Sequence, residues 1–84
     1  MNHKIISNTL RLHRKQAGLR QIDVAAALGF SSEDRISHWE KGQAFPNIIN
    51  LFRLARLYKV MPHELYGELY EEVGNQIKEL SLME

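Results

Sequence analysis

Gly18-Leu19-Arg20-Gln21-Ile22-Asp23-Val24-Ala25-Ala26-Ala27-Leu28-Gly29-Phe30-Ser31-Ser32-Glu33-Asp34-Arg35-Ile36-Ser37-His38-Trp39-Glu40-Lys41-Gly42 runs two short helical patterns back to back. Gln21 to Leu28 sets Ile22, Ala25 and Leu28 at spacings of three, one face of a helix. Gly29 can take the positive φ that stops it. Ser31 and Ser32 offer hydroxyl N-caps to a following helix, with Glu33 and Asp34 in its first turn, where the helix dipole favours an anion. That second helix runs to about Lys41 and Gly42 closes it. Two helices joined by a tight glycine turn are the helix-turn-helix arrangement, whose second member can enter the major groove of DNA.

The same punctuation continues on both sides. Ser7 to Ala17 reads as a preceding helix ended by Gly18. Gln43-Ala44-Phe45-Pro46 reads as loop. Asn47 is an N-cap for a helix whose apolar stripe is Ile48, Leu51, Leu54, Ala55 and Tyr58. Pro62 suits the first turn of a short fifth helix through Tyr66. Leu69, Tyr70, Val73, Ile77 and Leu80 recur at spacings of three and four, which makes residues 67–84 an amphipathic helix, with Gly74 weakening it by roughly 1 kcal/mol. No segment alternates as a strand does. The fold expected is all-α, a five-helix domain over residues 1–66 followed by a C-terminal helix over 67–84.

Composition narrows the function classes. The 84 residues suffice for one compact domain. No apolar run approaches the roughly 18 residues of a membrane span, and Met1 to Ile6 carries no leader-like apolar core. A cytoplasmic, nucleoid-associated protein is the expectation. There is no cysteine, so thiolate metal sites and disulfides are excluded. His3, His13, His38 and His63 lack metal-ligand spacing, no glycine loop could cradle phosphate, and nothing brings Ser, His and Asp together. Neither an enzyme nor a cofactor or metal is expected. The net charge of +1 hides an asymmetry. Residues 1–42 carry seven Lys/Arg against four Asp/Glu, residues 43–66 three against one, and residues 67–84 one against five. A basic body with an acidic end is how a polyanion is bound by the body alone.

Gly18-Leu19-Arg20-Gln21-Ile22-Asp23-Val24-Ala25, Leu28-Gly29, Ile36-Ser37-His38-Trp39-Glu40-Lys41-Gly42 and Pro46, continued by Leu51, Leu54, Ala55, Val60 and Glu64-Leu65, closely resemble the Xre/Cro/lambda-repressor-like helix-turn-helix family over roughly residues 7–66. The resemblance implies a double-stranded DNA-binding transcriptional regulator, a repressor by family habit. It implies that Gln21 and its backbone N–H meet a DNA phosphate, as a helix N-terminus favours an anion. It implies an ion pair between Arg14 and Glu40 bridging the first and third helices, and core anchoring by Ile36 and Trp39. By family position and helical spacing, Ser32, Glu33, Asp34, Ser37 and His38 face the groove and read bases. The carboxylates either accept from a cytosine amino group or simply serve the helix N-terminus. Arg20, Arg35, Lys41 and Gln43 fall to phosphate contact.

The chain departs from the family in several places. Arg20 replaces a hydroxyl N-cap, a loss of about 1 kcal/mol. One additional residue separates Gly29 from Ile36. His13 replaces an apolar residue and reads as partly buried. Lys59 stands where glycine often ends the fourth helix, which implies mild strain. Ala44 and Phe45 replace basic side chains, so fewer phosphate contacts are expected per subunit and a dimer would compensate. The apolar stripe of the terminal helix either folds back on its own domain or pairs with a second copy, with pairing preferred. A homodimer would read an inverted-repeat operator with half-sites about 34 Å apart. The alternative is a protein-interaction module or antitoxin-type regulator whose main partner is another protein.

Overall fold

A computed structural model of the chain describes residues 5–82, with side chains through residue 77. The readings that involve residues 1–4 and the side chain of Leu80 lie outside that part. The elements are α1 (Leu10–Gln16), α2 (Gln21–Ala27), α3 (Asp34–Glu40), α4 (Ile48–Tyr58), a 3-10 helix (Pro62–Tyr66) and α5 (Gly67–Leu82). Among the described residues there is no strand, and no helix is long and apolar enough to cross a membrane. The all-helical architecture is the one expected.

Each of the first five elements sends one side chain to a common centre. Leu10, Val24, Ile36, Leu54 and Leu65 are all under 2% exposed. Each such burial stabilises by about 1.5–3 kcal/mol before the entropy cost of ordering the chain. Trp39, Tyr58 and Tyr66 close the margins.

Three local readings need correction. α1 starts at Leu10 rather than Ser7, because Ser7, Asn8 and Thr9 spend their polar groups on other partners. Ser7 Oγ donates to Glu68, Thr9 N–H and Oγ1 donate to the carbonyls of Leu65 and Glu64, and Asn8 Oδ1 accepts the Leu10 N–H. In α2 the inward residues are Val24, Ala25 and Leu28, and Ile22 is exposed. In α4, Leu54, Ala55 and Tyr58 point inward, but Ile48 at the start of the expected stripe is 59% exposed.

The N-cap of α4 is the expected one, Asn47 Oδ1 accepting the Asn50 N–H at 2.8 Å. At the other end Lys59 adopts φ 59°, ψ 44°, the left-handed conformation that a glycine would take without penalty. The 3-10 helix passes into α5 without a linker. Only the first turn of α5 is held, through Leu69 against the core. Beyond it Tyr70, Val73 and Ile77 are 58%, 43% and 58% exposed. The radius of gyration, 14.5 Å, exceeds the roughly 12 Å typical of an 84-residue domain, as a projecting helix of about 24 Å requires.

Candidate nucleic-acid interface

α3 is fixed on three sides. Its inner face buries Ile36 and Trp39. Its flank is held by Glu40, whose carboxylate takes the Arg14 Nε at 2.6 Å and the Arg14 second nitrogen at 3.1 Å, and the Gln21 amide at 3.0 Å. Arg14 also donates to the Leu19 carbonyl at 2.9 Å, so one guanidinium ties α1, the α1–α2 turn and α3 together. Both charged side chains are under 10% exposed, and the hydrogen bonds to Glu40 raise the Arg14 pKa further, against its burial. A buried pair of this kind orients helices more surely than it adds net stability.

The C-terminal end of α3 is held by the segment before α1. Asn8 donates to the Trp39 carbonyl at 3.1 Å, and the Ile6 N–H to that of Gly42 at 2.9 Å. Gly42 has φ +75°, and a Cβ there would overlap the Ile6 backbone and the Ile5 side chain. Only glycine allows this close approach.

Away from the core, Asp34, Ser37 and His38 of α3 and its C-cap Lys41 form a stripe at spacings of three and four, all exposed but the half-buried Ser37. The third helix begins at Asp34, one residue later than a Ser32 cap and two later than a Ser31 cap implies. Glu33 is its N-cap residue without a side-chain cap bond. Ser32 lies in the turn and accepts the Asp34 N–H at 3.4 Å. Ser32 and Glu33 thus stand at the entrance of the helix, and Asp34, Ser37 and His38 on it.

Beside this stripe lies a concave surface lined by Arg11, Arg14, Arg20, Gln21, Glu33, Ser37, Glu40 and Lys41. Arg14 and Glu40 neutralise each other and Arg20 is paired with Asp23, so Arg11 and Lys41 against Glu33 leave the surface mildly basic. Arg11 escaped the sequence reading, although it stands three residues before Arg14 on the same side of α1. Arg20 is engaged with Asp23: the guanidinium lies 2.9 Å from the carboxylate, which also accepts the Arg20 backbone N–H at 2.8 Å. These bonds lower the Asp23 pKa. The acid at the third helical position thus satisfies the Arg20 N–H, one half of a capping box, while no side chain caps the helix from Arg20, as expected of a residue without a hydroxyl.

Arg35 leaves α3 on the far side. Its guanidinium lies 4.6 Å over the Phe30 ring, which meets Trp39 edge-on at 5.9 Å. The stacking limits the orientations of a cation at the rim of the helix. Gln43 sits exposed in the turn after α3, its N–H donating to the His38 carbonyl. His13 is half-buried. Among the described residues no three His, Asp or Glu side chains are grouped to hold a metal ion.

A family model described as helix-turn-helix matches residues 10–65. The chain belongs to the Xre/lambda-repressor-like helix-turn-helix family. A crystal structure of the restriction-modification controller protein C.AhdI from Aeromonas hydrophila is similar at a TM-score of 0.59 and 30% identity, over 68% of this chain and 85% of that one. No curated relative matches the sequence. The matched residues contain α1 to α4 and most of the 3-10 helix, and stop before α5.

Proposed function

We propose that this helix-turn-helix protein is a sequence-specific regulator of transcription that lays α3 in the major groove of double-stranded DNA and represses the promoter it occupies. The observation that carries the reading is a short helix clamped by Ile36, Trp39 and Glu40, with Asp34 and His38 exposed and Ser37 half-buried between them, beside a basic concavity. Ser37 and His38 bond base edges. Glu33 and Asp34 accept from cytosine amino groups, and Ser32 adds a contact at the entrance of the helix. Arg20, Gln21, Arg35, Lys41 and Gln43, with Arg11 added from the geometry, meet phosphates on either side of the groove. The Arg14–Glu40 pair holds the reading helix in place. The protein acts in the cytoplasm at the nucleoid, as a homodimer on an inverted repeat, without cofactor, metal or catalysis.

Selection of bound duplexes from random DNA tests this reading. An enriched two-fold symmetric motif, with affinity falling steeply between 50 and 200 mM salt, is expected. Folded protein that enriches nothing would contradict it. The exposed stripe of α5 favours one alternative, a regulator whose main partner is another protein. In that case changes at Ser37 and His38 leave activity intact.

A further inference from the structure

The polar side chains before α1 serve two parts of the molecule at once. On one side Asn8 meets the end of α3. The last carbonyls of a helix lack partners within it. Those of Ser37 and His38 accept the N–H groups of Lys41 and Gln43, each at 3.0 Å. That of Trp39 accepts both the Gly42 N–H and the Asn8 amide at 3.1 Å. The Glu40 carbonyl lies 3.5 Å from the same amide, a longer bond. Trp39 and Glu40 are the inner anchor and the flank anchor of α3, so one side chain reaches the backbone of both. Its remaining bonds fix its own placement: Nδ2 donates to the Ile6 carbonyl and Oδ1 accepts the Leu10 N–H, each at 3.0 Å.

On the other side the same segment is fastened to the C-terminal part of the fold. The Thr9 N–H donates to the Leu65 carbonyl at 3.0 Å and the Thr9 hydroxyl to that of Glu64 at 2.8 Å. The Ser7 hydroxyl donates to the carboxylate of Glu68, in the first turn of α5, at 2.7 Å. Coupling between separate elements is carried by contiguous networks of this kind. Ser7, Asn8 and Thr9 neither belong to the outward stripe of α3 nor line the basic concavity.

Building on the DNA reading above, we propose that Asn8 and Thr9 are positioning residues for sequence discrimination, a strap that ties the end of α3 to the 3-10 helix and α5 and so holds Ser37 and His38 in register with the bases. The two residues touch neither base nor phosphate. A shift of about 0.5 Å is enough to lose a base-edge hydrogen bond, whereas long cationic side chains follow a phosphate. Loosening the strap therefore lowers affinity for the right sequence and spares affinity for any other.

The affinity ratio between the selected duplex and a scrambled one, measured for wild type, N8A, T9V, T9S and V60A, tests the strap. V60A trims a partly buried core contact outside the strap and is the control for lowered stability. Each variant is measured at a temperature where circular dichroism shows it folded. The ratio falls roughly fivefold in N8A and about threefold in T9V, the size expected of one or two hydrogen bonds, with affinity for the scrambled duplex unchanged. T9S restores the hydroxyl and the ratio, and V60A keeps the wild-type ratio. Should N8A not fold, T9V and its rescue by T9S decide the matter. Wild-type discrimination in folded N8A or T9V, or an equal fall in V60A, overturns the strap and leaves the DNA reading standing. A wild type that does not discriminate overturns the DNA reading and the strap with it.

Discussion

Lys59 holds a left-handed backbone conformation that costs a side-chain-bearing residue about 1–2 kcal/mol. Replacing it with glycine relieves that strain and gives part back through a more flexible unfolded chain. K59G should therefore be more stable by roughly 0.5–1 kcal/mol in urea unfolding, both proteins held at one concentration. Tyr66 carries a different defect. Its hydroxyl is buried with no hydrogen-bond partner, and burial pushes its pKa up from 10.0 to about 12. A raised phenol pKa means that the folded state holds the proton longer than the unfolded one. The associated stability is complete below pH 10 and is lost as pH climbs toward 12. Y66F removes an unsatisfied polar group and should gain about 1 kcal/mol at neutral pH. Its melting temperature should fall less steeply than that of wild type above pH 10. Steeper alkaline loss in Y66F would contradict the assignment.

At the scale of the element, what matters is how a seven-residue helix is kept in one orientation. E40A strands the buried guanidinium of Arg14 and should cost about 3 kcal/mol or more by thermal or urea unfolding. R14M/E40L should recover most of that stability, because the charge is no longer stranded. It should still discriminate poorly among DNA sequences, since it lacks the bonds that fix the flank of α3. The inner anchors of α3 were legible in the sequence, because a tryptophan and an isoleucine three apart within a polar helix leave one possible inward face. The phase of α2 was not. Its 22 and 24–28 positions are all apolar, so period alone could not choose between Ile22 and Val24. Ile48 fits the period of α4 equally well inside or out, and only the tertiary arrangement leaves it in water. α1 starts later than its period suggests because the polar side chains before it bond elsewhere, and the partners of Ser7 and Thr9 lie 61 and 55 residues away. The rail of Phe30, Arg35 and Trp39 is tertiary and has no local signature. Of the basic concavity, Arg20, Gln21 and Lys41 were found by family position, and Arg11 only by geometry.

Over the whole molecule, polarity is divided between two ends. The helix-turn-helix body carries the excess of positive charge and the clamped α3, and α5 projects with the acidic residues. Such a division keeps the acidic helix away from a polyanion. Each cation proposed to meet phosphate, when removed as in R20A or K41A, should weaken binding to all duplexes alike and reduce the salt slope by about one. The central claim is that the outward stripe of α3 reads sequence, and the affinity ratio between the selected duplex and a scrambled one tests it most directly. It should be measured by fluorescence anisotropy for wild type and S37A/H38A at one salt concentration. The ratio should fall at least tenfold in the variant, with affinity for the scrambled duplex unchanged. An undiminished ratio in the folded variant would contradict the account.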